Sequence, residues 1–271
     1  MRIVTVQHEG TERLGILTLD DDVALPATGP RVFEDLLADL DAGLAALRAA
    51  SRSTGNRLPA AAVRLRAPVP RPRNIVCIGK NYADHAAEGD SDLPAEPLIF
   101  LKPPSSLIRD GESIRLPTVS KRVEYEGEIG IVIGSRLRKA SLSEARAAVA
   151  GIVAANDVTA RDLQKSDSQW TRAKGFDTFC AVGEVAGAPE DLSSLTVTTR
   201  VNGEVRQQGR GSEMVFDIPT VLVYISQVMT LEPGDLVLTG TPEGVGTLAP
   251  GDVVEVEIAG VSRVRNPVTS D

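Results

Sequence analysis

The sequence predicts an α+β protein in which strands outnumber helices. Short apolar runs bounded by glycine or proline recur along the chain, and Asn202-Gly203 is a typical β-hairpin turn. Strands and helices do not alternate regularly, so a doubly wound parallel sheet is not expected. The 271 residues are 42% hydrophobic and 24% charged, which is enough for one large domain and a smaller unit.

Residues 1–65 are predicted to form a small N-terminal domain. A helix is expected from about Arg31 to Ala50, because its leucines recur every three or four residues. The proline-rich run 66–73 is typical of an extended linker, so the main domain is placed at 74–271. The strands expected in the small domain are Arg2–Gln7, Arg13–Leu19 and Asp22–Leu25.

The main domain is expected to contain two capped helices among several strands. Ser141 begins a capping box for a helix over Leu142–Ala150, and Asp217 caps a helix over Ile218–Met229. The expected strands are Asn74–Gly79, Leu98–Leu101, Ile152–Ala155, Thr196–Val201, Glu204–Arg206, Asp235–Thr239 and a final strand Val253–Ile258.

The stretch 123–134 is the most informative part of the chain. If it is one strand, Glu124, Glu126 and Glu128 share a face about 7 Å apart. Like charges leading into a core need a positive partner, and carboxylate oxygens suit a hard cation such as Mg²⁺ or Mn²⁺. Asp157, which ends another strand, could complete a carboxylate triad with two of these glutamates. A solvated strand face is the alternative interpretation.

Other candidate residues have similarly open interpretations. His85 and Glu88 are spaced to form a general base pair on a helical turn, or an ordinary surface turn. Lys174 precedes an apolar strand and could oppose the acidic cluster, or lie in solvent. Thr241 lies in a glycine-rich loop that lacks the ending of a P-loop, so it fits a small anion or a plain turn.

Composition makes several classes of protein improbable. The net charge is −8 and aromatic residues are 3%, so nucleic acid is not an expected partner. No apolar run is long enough for a membrane span, and the N-terminus is not a secretory signal. Cys77 and Cys180 lie in apolar contexts, which indicates buried thiols and a cytoplasmic location. No motif for Ser-His-Asp chemistry is present.

Taken together, these segments resemble the fumarylacetoacetate hydrolase family. The resemblance covers about residues 70 to 268 in the family's order, and the N-terminal unit is similar to the smaller leading domain of longer bacterial members. The matching segments are Ile78–Glu88, Leu98–Pro103, Val123–Ile129, Asn156–Gln164, Trp170–Phe176, Leu238–Val245, Gly251–Glu257 and Arg265–Val268.

The resemblance implies a mixed β-roll catalytic domain, usually in a homodimer. It implies that Glu126, Glu128 and Asp157 bind Mg²⁺ or Mn²⁺, with Glu124 as a neighbour and not a ligand. His85 and Glu88 match the family's water-activating pair. The residues that match positions holding or polarising the substrate are Lys174, Lys102, Arg161, Gln164 and Thr241.

The function that the resemblance implies is metal-dependent hydrolysis of a C–C bond in acylpyruvates, which are fumarylpyruvate-like 2,4-dioxo acids, with oxaloacetate decarboxylation as a further activity. The alternative is an isomerase or decarboxylase of 2-hydroxyhepta-2,4-diene-1,7-dioate-type acids from aromatic catabolism. A non-catalytic protein that binds a 2-oxo acid or a metal is the third hypothesis. In each case the expected partner is a small 2-oxo acid.

Overall fold

Strands dominate the computed structural model, which describes residues 2–8, 10–18, 20, 22–66, 72–83 and 93–271. The first strands are β1 (Arg2–His8), β2 (Thr11–Leu17), β3 (Asp22–Ala24), β4 (Arg57–Pro59), β5 (Arg64–Arg66), β6 (Ile75–Gly79), β7 (Leu98–Lys102), β8 (Leu107–Arg109), β9 (Ile114–Leu116), β10 (Val123–Tyr125) and β11 (Gly127–Ile133). The others are β12 (Val149–Asp157), β13 (Thr159–Ala160), β14 (Cys180–Val182), β15 (Val185–Ala186), β16 (Thr196–Val201), β17 (Glu204–Arg210), β18 (Leu236–Leu238), β19 (Gly246–Thr247), β20 (Val253–Ile258) and β21 (Ser262–Ser270).

The helices are short and lie between these strands. They are α1 (Phe33–Ala38), α2 (Leu40–Arg52), α3 (Leu142–Ala147), α4 (Arg161–Ser166), α5 (Thr171–Lys174) and α6 (Ile218–Val228). Within the described ranges, no helix has the length and apolar character needed to cross a membrane.

The strands pair into a large mixed sheet and two smaller ones. The large sheet has the order β4-β3-β2-β1-β15-β12-β11-β18-β6-β7, with β5 beside β1 and β14 joined to both β12 and β8. Most pairs are antiparallel, but β18–β6 and β14–β8 are parallel. The smaller sheets are β13-β10-β19 and β17-β16-β20-β21-β9. The predicted α+β class, mostly β with mixed sheets, is confirmed.

The N-terminal strands extend the same large sheet as the rest of the chain. Arg2 and Ile3 of β1 pair with Ala186 and Val185 of β15. The division into an N-terminal domain, a linker and a catalytic domain stays a prediction, and residues 67–71 of that linker lie outside the described ranges.

The single helix predicted from Arg31 to Ala50 is wrong. The chain forms α1 and α2, and Asp39 between them has φ −145° and ψ 86°, which is not helical. Its carboxylate accepts a hydrogen bond from the Ala42 N–H and so caps α2. The apolar spacing predicted one helix because it continues past Asp39, but aspartate favours a capping position over the helix interior.

The stretch 123–134 is not one continuous strand, although its apolar second half is the buried strand β11. β10 and β11 belong to different sheets, and the chain leaves the ladder at Glu126, whose N–H donates to Oδ1 of Asn156 instead. The alternation of side chains therefore does not run across this break. Nevertheless, Glu124, Glu126 and Glu128 are all buried, with 1%, 4% and 1% of their surface exposed, so they do not form a solvated strand face.

Local turn and capping signals are confirmed, whereas several boundaries differ. Asp217 caps α6 through the Thr220 N–H, and Asn202 and Gly203 both have positive φ, as their hairpin turn requires. Helix α3 is shorter than expected because β12 begins at Val149. Val253–Ile258 is not the final strand, since β21 pairs with it along its whole length.

Strand β11 lies inside the large sheet, between β12 and β18, and is buried along its whole length. Ile129, Ile131 and Ile133 pack into one core cluster, while Val132 packs into the cluster on the other face. Full burial of each such side chain contributes roughly 1.5–3 kcal/mol. Burial on both faces explains why this strand is a continuous apolar run, and it fixes the end that carries Glu128.

Candidate metal centre and active site

Three buried carboxylates converge where β11 begins and β12 ends. Glu126, Glu128 and Asp157 each offer one oxygen, and these oxygens lie within 4.8 Å of one another. The exposed fraction of each residue is 4% or less. Like charges this close in a buried site repel strongly unless cations lie beside them.

The backbone around Glu126 sets the geometry of this triad. The Glu126 N–H donates to the Asn156 side chain at 3.0 Å, and the Glu126 carbonyl accepts from the Asp157 N–H at 2.8 Å. Both polar groups of one ligand residue are therefore held by two consecutive residues of β12. Asn156 was not among the residues expected from the sequence, since only the folded chain brings it to Glu126.

Glu128 is held by the glycine-rich loop after β18. One of its carboxylate oxygens accepts a hydrogen bond from the Gly240 N–H at 2.7 Å. Gly240 has φ +100°, and a Cβ there would meet Cβ of Asn81 at 2.8 Å, so glycine is required. The loop thus supports a metal-site carboxylate from its backbone.

Two buried lysines lie against the triad. Nζ of Lys102 is 2.6 Å from Oδ1 of Asp157 and 3.2 Å from the Val158 carbonyl. Nζ of Lys174 is 2.7 Å from Glu126 and 2.7 Å from the other Asp157 oxygen, and lies 4.9 Å from the centre of the Phe100 ring. Of the two positions that the sequence allowed for Lys174, in solvent or against the acidic cluster, the structure shows the second.

The titration of these groups follows from burial and from their neighbours. Burial, followed by the charges of Asp157 and Glu126, raises the pKa of Glu128 well above its ordinary value. Burial alone would lower the pKa of Lys174, but Asp157 and Glu126 outweigh it and the net shift is upward. The two carboxylates therefore favour the charged form of Lys174.

Arg161, at the start of α4, connects the triad to Glu124. Its Nε donates to Glu124 at 2.6 Å, and its Nη2 donates to Glu126. Its Nη1 donates to Gln164 one turn along α4. Arg161 and Gln164, both expected near the substrate, therefore lie together at the edge of the triad, and the arginine bonds directly to one of its carboxylates.

Thr241 supports the peptide between the two glutamates. Its hydroxyl donates to the Gly127 carbonyl at 2.8 Å and accepts from Nε2 of Gln207, while Oε1 of Gln207 accepts from the Gly127 N–H. The substrate-binding role expected for Thr241 stays a prediction, because its hydroxyl proton is used within the protein. Nothing local in the sequence marks Gln207, which lies 80 residues from Gly127.

The predicted water-activating pair cannot be placed. His85 and Glu88 lie outside the described residues. Just before them, Tyr82 is 3% exposed, and its hydroxyl has no hydrogen-bond partner within the described ranges. Burial, with the nearby charges of Glu128 and Glu213, raises the pKa of this phenol. Spacing in the sequence gives no sign that Tyr82 lies at the site.

The donor set fits a hard divalent cation. Carboxylate oxygens are the ligands that Mg²⁺ and Mn²⁺ prefer, and all three belong to buried residues anchored by backbone and lysine contacts. Glu124 is not part of this group, and both of its oxygens accept from arginines. The acidic triad could therefore hold a metal ion, with Glu124 beside it.

Comparisons with known proteins agree with this geometry. A family model described as fumarylacetoacetate (FAA) hydrolase C-terminal matches residues 74–269, and one described as Rv2993c-like, N-terminal matches residues 1–68. Oxaloacetate tautomerase FAHD2A, mitochondrial, of Bos taurus is 38% identical over 266 residues, which cover 94% of this chain and 84% of that protein. Protein Rv2993c of Mycobacterium tuberculosis is 48% identical over 218 residues, covering 79% and 82%.

A solved structure matches over the whole chain. The crystal structure of 2-hydroxyhepta-2,4-diene-1,7-dioate isomerase from Mycobacterium marinum is 38% identical, with a TM-score of 0.83, and the match covers 100% of this chain and 99% of that one. The similar proteins thus include a tautomerase and an isomerase, as well as a protein whose name gives no activity.

Proposed function

Because the chain belongs to the fumarylacetoacetate hydrolase family of enzymes, we propose that it catalyses keto–enol interconversion of a small 2-oxo dicarboxylic acid such as oxaloacetate, with a divalent metal ion. The observation that carries the proposal is the convergence of three buried carboxylates next to two buried ammonium groups. The similar tautomerase and isomerase support the same choice, since both names describe rearrangement and not bond cleavage.

In the proposed reaction a base takes a proton from the carbon next to the 2-oxo group, and the 2-oxo oxygen then gains a proton to give the enol. Negative charge develops on that oxygen between the two proton transfers. Glu126, Glu128 and Asp157 would hold Mg²⁺ or Mn²⁺, which supplies a Lewis acid for that oxygen. Lys102 and Lys174 contribute positive charge from buried positions, where charge interacts more strongly than in solution. They need no reorganisation during the reaction because both are already anchored on Asp157.

The charges of the site favour an anionic substrate. Four buried carboxylates, including Glu124, lie against four cationic side chains: Lys102, Lys174, Arg161 and, on the outer side, Arg122. These charges nearly balance, so a divalent cation would give the site a net positive charge. A dicarboxylic 2-oxo acid matches that excess, and Arg161 offers further N–H groups for a carboxylate.

Hydrolysis of acylpyruvates is the second candidate. It shares the enolate that leaves when the C–C bond breaks, but it also needs a base that activates water. His85 and Glu88 supply the residue types for that base in the sequence, which is the observation that favours this reaction. Decarboxylation of oxaloacetate and isomerisation of hydroxylated dienedioates need only the shared enolate chemistry and a proton donor.

A substrate panel separates these reactions. Purified protein is assayed on the enol form of oxaloacetate, on acylpyruvates and on a dienedioate, in Mg²⁺, in Mn²⁺ and in EDTA. We expect metal-dependent loss of enol absorbance without release of CO₂, and loss of this activity in Asp157→Asn. The control is Glu257→Gln, which breaks a remote ion pair with Arg200. Turnover of acylpyruvates alone, or equal rates in EDTA, would contradict the proposal.

We also propose that the protein is a homodimer. The family resemblance supports this, and so does the exposure of two leucines on β7, which is at the end of the large sheet's main strand order. Leu98 is 38% exposed and Leu101 is 45% exposed. Light scattering after gel filtration should give twice the chain mass, and a monomer mass at micromolar concentration would argue against it.

A further inference from the structure

Glu124 is a buried carboxylate next to the metal triad but outside it. It is 1% exposed, and its two oxygens accept from Nε of Arg161 and Nε of Arg122. A buried carboxylate is unfavourable unless it is paired, and here two arginines compensate its charge. Arg122 has 56% of its side chain exposed and closes the outer side of the pair.

The guanidinium of Arg161 is fixed at all three of its nitrogens. Nε donates to Glu124, Nη1 to Gln164 and Nη2 to Glu126. A planar group held at three points cannot rotate about its last bonds. Since arginine has five N–H donors, the three contacts among the described residues leave two for another acceptor, in an orientation that these contacts define.

The two glutamates bonded to Arg161 differ in what else they bind. Glu126 also accepts from Lys174 and belongs to the triad, whereas among the described residues the second oxygen of Glu124 accepts from Arg122, toward the surface. If Glu124 were absent, the Nε edge of Arg161 would lose its acceptor and the guanidinium plane could turn, while Lys174 would still hold Glu126 in the triad. Glu124 therefore fixes the orientation of Arg161 without being part of the metal site.

We propose that Glu124 is a positioning residue that orients Arg161 to bind a carboxylate of the substrate. The inference rests on the proposed function for the identity of that carboxylate. Glu124 would act through Arg161 and not on the metal, so its loss should weaken anion binding while leaving metal binding nearly intact. A glutamate that ligates the metal would show the opposite pattern.

The test measures binding of oxalate, a small dicarboxylate, to the Mn²⁺-loaded protein by calorimetry, and Mn²⁺ binding itself by electron paramagnetic resonance. In Glu124→Gln we expect oxalate affinity to fall about tenfold, as for loss of one charge-assisted contact. Mn²⁺ affinity should change less than about threefold. The matched control is Glu257→Gln, which breaks the Arg200–Glu257 pair between β16 and β20 of the five-stranded sheet. It should leave both affinities unchanged.

Glu124→Asp keeps the charge on a shorter side chain and should restore part of the oxalate affinity; it also replaces the glutamine variant if that one does not fold. Unchanged oxalate affinity in a folded variant, or a parallel fall in Mn²⁺ affinity, would overturn the proposal. So would a wild-type protein that binds Mn²⁺ but not oxalate. Because these readouts need no turnover, failure of the proposed reaction alone leaves them measurable.

Discussion

Replacing Lys174 by methionine tests whether the ammonium group and a metal ion neutralise the same carboxylates. Nζ lies 2.7 Å from an oxygen of Glu126 and 2.7 Å from one of Asp157. At an effective dielectric constant of about 20, each contact is worth roughly 6 kcal/mol before desolvation. Burying the ammonium offsets much of this, so removing it should destabilise the metal-free protein by about 3–5 kcal/mol.

Mg²⁺ should reduce that loss. A divalent cation on the triad replaces the missing charge, so we expect the destabilisation of Lys174→Met to fall to less than about half in saturating Mg²⁺. Urea unfolding of wild type and variant, in EDTA and in Mg²⁺, gives the four free energies needed. Lys165→Met changes an exposed lysine and should cost less than about 0.5 kcal/mol in either condition. Equal losses for Lys174→Met with and without Mg²⁺ would refute the reasoning.

Three further changes test the surroundings of the triad. Asn156→Leu removes the acceptor of the Glu126 N–H and should weaken Mg²⁺ binding about 10- to 100-fold in calorimetry; an unchanged affinity would show that Asn156 does not position the ligand. The raised pKa of Glu128 means that the folded, metal-free protein holds this proton more tightly than the unfolded chain. Its stability in urea should therefore fall as pH rises above the ordinary glutamate pKa of about 4.5, with a flatter profile in Glu128→Gln. Tyr82→Phe removes a buried hydroxyl without a partner among the described residues, so the free energy of unfolding should stay constant or rise by about 1 kcal/mol. A fall of that size would show that the hydroxyl makes a hydrogen bond outside the described residues.

Features that depend on a few adjacent residues could be predicted from the sequence. The Asp217 cap and the Asn202-Gly203 turn each follow from side chains and φ preferences within about four residues. Acidic residues close together in sequence also pointed to a charged cluster. Here the physical cause is local, so its consequence is visible without the fold.

Contacts between distant segments could not be derived in this way. Lys102 is 55 residues from Asp157, and Arg161 is 37 residues from Glu124. Spacing says nothing about such pairs, and the expectation for Lys102 and Arg161 came from the family resemblance. The resemblance placed Glu124 beside the ligands, but spacing could not predict its ion pair with Arg161, because that pair depends on where distant segments meet. Its other partner, Arg122, is only two residues away in sequence.

The break between β10 and β11 at Glu126 is the difference from a single strand that matters most for the site. It is explained by the crowding around Gly127. A Cβ on Gly127 would lie 1.9 Å from Oγ1 of Thr199 on β16, so the neighbouring sheet fills the space that a side chain would need. This close approach lets Gln207 and Thr241 hold both polar groups of the Gly127 peptide, in place of a ladder partner on their side. The two glutamates on either side of Gly127 are therefore positioned by a junction between sheets and not by one continuous strand. It follows that Thr199 and Gln207 of the five-stranded sheet, which are far in sequence from the three carboxylates of the triad, help to set the spacing of those carboxylates.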